Sequence, residues 1–258
     1  MRAVEDLEVS PFRPVRRGHA AEEVFDQLVA AILRGELEAG AALPPERLLA
    51  ERFGVSRIIA RQAVHRLAEL GIVRVRQGGS TIVLDFNAAH DLRIIELFYR
   101  LGPYTPDDVR DINERQILHG HSLLQIAQRR ATPEHRERIG AIAMAYAEGG
   151  ASDAGLSDFE RRFWGAVAEA GGNRLYIFEV NWWYRLLERQ PLARHQIFAA
   201  PAARAMFFRE FVRRLHAGED VAAFYLAATR PILEALSTRE VSRPRPARTL
   251  NEHPRKKP

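Results

Sequence analysis

The segment from Leu43 to Leu84 constrains the fold more than any other part of this 258-residue chain. Leu43-Pro44-Pro45-Glu46 sets a turn that starts a helix, because proline suits the first helical position and an acid suits the first turn. That helix is short, Glu46 to Phe53, because Gly54 supplies the left-handed conformation that ends a helix sharply. Ser56, two residues on, is placed to cap the next helix by accepting a bond from a free backbone N–H. That third helix runs to about Leu70, with Ile59, Ala63, Val64 and Leu67 available to pack inward, and Gly71 closes it. Ile72–Arg76 and Thr81–Leu84 then read as two strands around Gln77-Gly78-Gly79-Ser80, a glycine turn of hairpin length. Upstream, Val24, Leu28, Ala31 and Ile32 recur at helical spacing from His19 to Arg34, with Phe25 and Val29 widening the stripe and Gly35 stopping it. Three helices followed by a two-stranded wing make a winged helix-turn-helix over residues 19–84.

Beyond Asp85 no alternating strand is convincing, and helical stretches dominate: 90–100, 106–130, 133–147, 153–170, 173–189, 201–216 and 219–236. The expected class is mainly α, an N-terminal winged helix-turn-helix plus a C-terminal all-α helical bundle. A prior of about 150 residues per domain agrees with two domains. Residues 1–18 read as a flexible arm, 85–105 as a linker and connecting helix, and 106–238 as the all-α domain. The Arg/Pro-rich stretch 239–258 is expected to be a disordered tail.

Charged residues make up 28% of the chain, and no apolar run approaches the roughly 20 residues that cross a bilayer. The N-terminus has no apolar leader, so a cytoplasmic setting without membrane association is expected. With no cysteine, disulfides, thiolate nucleophiles and cysteine-ligated metals are excluded. The net charge of +5 resides in the tail, where seven Arg/Lys face two Asp/Glu over residues 239–258. The global charge is therefore uninformative, and its local distribution carries the argument.

Between Arg47 and Arg76 stand seven arginines and two glutamates. In a helix-turn-helix the second helix lies in the major groove with its N-terminal residues on base edges. Ser56, Arg57, Ile58, Ile59 and Arg61 occupy that end. A guanidinium fork can donate two bonds to guanine O6 and N7, whereas phosphates accept from Arg or Ser without regard to sequence. Arg57 and Arg61, four apart, share a face; the competing use of either is an ion pair with Glu69 or another acid. Gly78 and Gly79 suit any tight hairpin, and they also permit close approach of backbone to a phosphate or the minor groove.

Leu43 to Arg57, followed by Ala60-Arg61-Gln62-Ala63-Val64 and Leu67 to Gly71, resembles the N-terminal domain of GntR-family transcriptional regulators over about residues 19–84. The resemblance implies operator contacts by Arg47, Ser56, Arg57, Arg61 and the turn Gln77, Gly78, Gly79. One departure is Ile58-Ile59, where the family commonly has a hydroxyl residue or proline. An isoleucine can pack against a thymine methyl but cannot donate a hydrogen bond, so the operator is expected to differ at the facing bases.

Asp108-Val109-Arg110 with Glu114, then Ala127 to Glu134, and Gly172 to Tyr176 resemble the helical effector-binding domain (FCD) of the FadR branch. Many members of that branch hold a divalent metal through one Asp and three His, beginning with an Asp-x3-His pair just upstream of the Gly-Asn. Here those positions fall on Glu160 and Trp164, and the other two near Phe208 and Arg230. A carboxylate among an indole, a phenyl ring and a guanidinium cannot hold a metal, so neither a metal nor another cofactor is expected. Arg230 would supply charge to an acidic ligand or neutralise Glu160.

His121 follows Arg110 and Glu114 at helical spacing and either faces the same cavity or is structural. Trp182-Trp183-Tyr184 with Phe178, Phe207, Phe208 and Tyr225 supply aromatic bulk, for core packing or for an apolar ligand pocket. Fatty acyl-CoA, the effector of the branch's metal-free founding member, makes a fatty-acyl or aromatic ligand the implied class. Asn181 and Arg185 complete the expected effector set of Arg110, Glu114, His121, Glu160, Trp164, Asn181, Arg185, Phe208, Tyr225 and Arg230.

No nucleophile elbow, phosphate loop, dinucleotide fingerprint or zinc-protease helix occurs, so no enzyme is expected. The resemblance implies a ligand-responsive regulator, a repressor, acting as a homodimer on an inverted-repeat operator in double-stranded DNA. A small organic acid or acyl-type effector would modulate it. The alternatives are a metal-assisted carboxylate sensor and a ligand-free architectural DNA binder.

Overall fold

Local signals set most of the helix ends. The computed structural model describes residues 19–76, 79–103, 105–189 and 200–237, and the chain divides between Pro103 and Tyr104 into two compact units. The arm over 1–18, the tail over 239–258, the Gln77-Gly78 pair and the expected break at Pro191 lie outside the described residues.

In the first unit α1 (Ala20–Leu33) and α2 (Glu46–Phe53) both pack on α3 (Arg57–Glu69). Gly54, at φ 65°, reverses the chain between α2 and α3 as the left-handed expectation requires. α2 has the span read from the sequence, with Glu46 as its first helical residue and Pro45 at the N-cap rather than inside the first turn. Phe25, Leu28, Leu49, Phe53, Leu67 and Ile72 are each under 2% exposed, and burial of such side chains contributes about 1.5–3 kcal/mol apiece.

The wing is shorter than its pattern suggests: β1 (Val73–Arg74) pairs antiparallel with β2 (Ile82–Val83), in register Val73 to Val83. The other flank of β2 is covered by residues 40–43. There the Val83 N–H donates to the Ala41 carbonyl at 2.9 Å and the Leu43 N–H to the Thr81 carbonyl at 2.8 Å. The segment ahead of α2, read from sequence only as a turn, thus supplies an extra partner for the wing.

The stretch expected as a linker holds a 3-10 turn at Phe86–Ala88 and α4 (Arg93–Leu101). Ile94 and Leu97 of α4 join the core of the first unit. The Arg100 guanidinium clasps the Asp26 carboxylate of α1 with two hydrogen bonds, one of 2.7 Å. The helix therefore belongs to the N-terminal unit, because apolar burial and a partly buried ion pair hold it to α1.

The second unit is a bundle of α5 (Pro106–Arg130), α6 (Pro133–Glu148), α7 (Asp153–Gly171), α8 (Arg174–Arg189), α9 (Pro201–Ala217) and α10 (Val221–Ser237). Thr105 and Thr132 start α5 and α6 with reciprocal side-chain caps, each followed by proline at the first helical position. Gly172 at φ 60° ends α7, and the Asn173 side chain accepts from the Leu175 N–H at 3.0 Å to start α8. α5 packs on α7 and α10, α6 on α7 and α9, and α8 on α7. Ile117, Phe163, Val167 and Phe211 are buried at the centre.

Candidate nucleic-acid interface and effector cavity

The start of α3 is fixed by Ser56, whose Oγ accepts from the Ile59 N–H at 3.4 Å. Ile59 then turns toward the core, while Arg57, Ile58 and Arg61 stand exposed, Ile58 at 71%. Among the described residues neither Arg57 nor Arg61 forms an ion pair; Glu69 instead meets His65 at 3.1 Å. Both guanidinium forks are therefore presented to solvent at the positive end of the helix, where anions are favoured.

Arg47 on α2 lies 3.7 Å from Glu51, with both side chains 69% exposed, so the pair is worth little and leaves Arg47 available. Not every arginine of the cluster faces outward for binding. Arg66 lies 4.3 Å over the Phe25 ring and ties α3 to α1, and Nη1 of Arg52 is buried. On the wing Arg74 and Arg76 are exposed, and the Gly79 N–H donates to the Arg76 carbonyl at 3.1 Å.

The expected effector residues divide into five groups. Glu160 and Trp164 of α7, Phe208 of α9 and Tyr225 of α10 line one interior cavity. Asn181 and Arg185 of α8 line a separate open groove of about 810 Å³ across α6, α7 and α8, together with Arg138, Arg161 and Arg162. Arg110 binds Asp107 and Asp111, each at 2.8 Å, and Glu114 is exposed; neither lines the cavity. Nδ1 of His121 lies 3.0 Å from the Ala222 carbonyl, a bond that joins α5 to α10. Arg230 is exposed, and one residue earlier Thr229 is buried, its Oγ1 donating to the Tyr225 carbonyl at 2.9 Å.

The interior cavity measures about 50 Å³. Phe159, Phe163, Phe207, Phe208 and Phe211 complete most of its wall, with Trp164 edge-on to Tyr225 at 5.6 Å. The Tyr225 hydroxyl is buried and has no hydrogen-bond partner among the described residues. Burial, with the Glu160 carboxylate adding to it, pushes its pKa far above the ordinary tyrosine value, so the group stays a proton donor. Gly120 of α5 makes room for these rings: a β-carbon there would lie 2.7 Å from Trp164 Cη2 and 2.8 Å from the Tyr225 hydroxyl.

Arg204, absent from the expected set, also lines this cavity at 2% exposure. Its Nε and Nη2 donate to the Ala151 carbonyl at 3.1 and 2.9 Å, and Nη2 also binds Asp153. It thereby pins the α6–α7 turn, where Ala151 holds the left-handed conformation at φ 50°. Its place among apolar residues at the start of α9 was the only signal in the sequence. Among the described residues no three His, Cys, Asp or Glu side chains gather as a metal site, and no helix is long and apolar enough to cross a membrane.

The family described as bacterial regulatory proteins, gntR family, matches residues 20–83. The chain is 40% identical over 128 residues to the HTH-type transcriptional regulator Mce2R of Mycobacterium tuberculosis, covering 49% of this chain and 53% of that one. It is 32% identical over 172 residues to the putative L-lactate dehydrogenase operon regulatory protein of Escherichia coli, covering 65% of each. The fatty acid metabolism regulator protein of Edwardsiella ictaluri is 31% identical over 157 residues, covering 60% of this chain and 64% of that one. The chain spans about half the length of the mycobacterial relative and under two thirds of the other two. A solved Streptococcus agalactiae GntR structure aligns over 84% of this chain and 100% of its own, with a TM-score of 0.40 and 22% identity. With the helix, tight turn, helix and wing on hand, residues 20–83 are a winged helix-turn-helix domain of the gntR family of bacterial regulatory proteins.

Proposed function

We propose that the chain is a DNA-binding transcriptional regulator that acts as a homodimer on an inverted-repeat operator, with its DNA affinity set by a small organic acid held in the helical unit. The observation that carries this reading is the first turn of α3, where Arg57 and Arg61 stand exposed and without ion pairs among the described residues. Duplexes enriched from random DNA by the full chain provide the test. Arg57→Ala should weaken binding to them by about 1–3 kcal/mol and relax the preference at one position per half-site. An unchanged affinity and sequence preference removes Arg57 as a base reader.

A two-fold dimer places two recognition helices on successive half-sites. Support for a protein partner comes from the outer face of α5 and α8. His119 of α5 meets the Tyr176 ring of α8 at 5.5 Å, and Leu118 of α5 and Leu175 and Phe178 of α8 are exposed at 45, 71 and 58%. Large apolar side chains left exposed favour a protein partner, and a second copy would cover them.

The size of the cavity limits the ligand. About 50 Å³ accommodates a few water-sized groups, whereas pockets for drug-sized ligands run to roughly 300–1,000 Å³. The fatty-acyl class implied by the sequence resemblance would need the phenyl rings to part, so a small acid fits better. Its oxygens would accept from the Tyr225 hydroxyl beside the Arg204 guanidinium. Such a ligand shifts DNA binding only as far as its affinities for the two states of the protein differ. The tightness of the cavity favours one competing reading, a DNA binder without an effector. A rise in melting temperature with millimolar small carboxylic acids, lost in Tyr225→Phe, supports the sensor; no rise with any of them supports the competitor.

A further inference from the structure

We infer that Ile58 reads a thymine 5-methyl group in each operator half-site, an inference that rests on the proposed DNA-binding function. The sequence places two isoleucines side by side at the start of the recognition helix, and the structure separates their roles. Ile59 packs against the core of the first unit, whereas Ile58, one residue earlier, is 71% exposed and takes no part in that core. Its removal from water must come from outside the unit. Ile58 lies one turn from Arg61 and Gln62, both exposed, and beside Arg57. It is thus the apolar side chain on a face otherwise built of hydrogen-bond donors.

The first turn of the second helix in a helix-turn-helix is the part that meets base edges. Within the major groove, donors and acceptors mark every base, and the apolar mark is the thymine methyl. A branched aliphatic side chain with nothing to donate is matched to that mark. Side chains one helical turn apart stand about 5–6 Å from each other, between one and two base steps of about 3.4 Å. The thymine that meets Ile58 therefore lies within two base pairs of the one read by Arg61.

The test uses the full chain and duplexes that it enriches from random DNA. Each thymine is replaced in turn by deoxyuridine, which removes the methyl group and leaves the hydrogen-bonding pattern intact. One position per half-site should weaken binding about fourfold, the effect expected of one buried methyl-sized group, and symmetric replacement in both halves about fifteenfold. In Ile58→Ala the discrimination between thymine and uracil at that position should vanish, while Ile58→Val keeps most of it. Melting curves confirm that the exposed substitution leaves the fold unchanged.

Sequence-selective binding with no thymine that discriminates, or discrimination that survives in Ile58→Ala, overturns the inference alone. Failure of the full chain to select any sequence overturns both the inference and the DNA-binding reading beneath it.

Discussion

Replacing Tyr225 by phenylalanine removes one oxygen from the centre of the helical unit, and the sign of the resulting stability change reports what that oxygen touches in solution. The residue is 4% exposed and its hydroxyl has no partner among the described residues. A buried hydroxyl left without a hydrogen bond costs about 1–3 kcal/mol. Phenylalanine relieves that cost and keeps the edge-on contacts with Trp164 at 5.6 Å and Phe207 at 6.3 Å. The loss of one small atom's packing offsets part of the gain, leaving a net stabilisation of about 1 kcal/mol, or a few degrees in Tm. Urea unfolding of both proteins, read by tryptophan fluorescence, measures the difference. A variant less stable by about 1 kcal/mol would refute the reasoning and mean that a water or a co-purified ligand accepts from the hydroxyl. Alkaline pH supplies a second check. The folded pKa is raised, so the group leaves stability independent of pH below about pH 10, where unfolded tyrosine titrates, and lowers it as the pH rises beyond that. The phenylalanine variant should lack that loss.

Gly120→Ala should destabilise the unit by about 1 kcal/mol in the same assay. Crowding of Trp164 and Tyr225 at 2.7–2.8 Å costs about 1–3 kcal/mol, against a helix-propensity gain of up to about 1, and a stabilised variant would show that the rings have slack. Phe178→Glu puts a charge into the exposed α5–α8 face and should shift the dimer to monomer in sedimentation experiments; an unchanged dimer would place the protomer interface elsewhere. Burial lowers the His119 pKa below its ordinary 6.5, with Glu179 opposing and Arg115 reinforcing the shift. The unfolded chain therefore binds the proton first, and stability present above pH 6.5 should fall as the pH drops toward the folded value. Chemical denaturation across pH 5–8 should show that slope in the parent and lose it in His119→Phe.

The seven helical stretches read from pattern beyond residue 85 coincide within three residues at each end with α4 to α10. Their ends are written locally, in Gly172, in Thr105-Pro106 and in Thr132-Pro133, where one or two residues decide the backbone angles. Gly54 and Ser56 encode the α2–α3 turn in the same way. The pairing of residues 40–43 with β2 was illegible, because a backbone ladder across forty residues leaves no periodicity in so short a segment.

The candidate sites show the same division. Arginine at 57 and 61 and isoleucine at 58 were named from their place in the recognition helix, and helical spacing already offered Ile59 to the core, but the sequence also named Ile59 as a DNA contact, and packing decides for the core. Local pattern could not tell that Arg66 would lie over Phe25, or that Arg204 would be buried against Ala151. The cavity is walled mostly by rings from α7, α9 and α10, two of which Gly120 of α5 makes room for, on elements separated by up to about a hundred residues. Helix limits, turn chemistry and the identity of the N-terminal domain follow from residues that act on their near neighbours, so the amino-acid sequence by itself determined them. Which side chains are exposed, how α4 is held and how large the cavity is depend on volumes brought together from distant segments, and only the tertiary structure decided those.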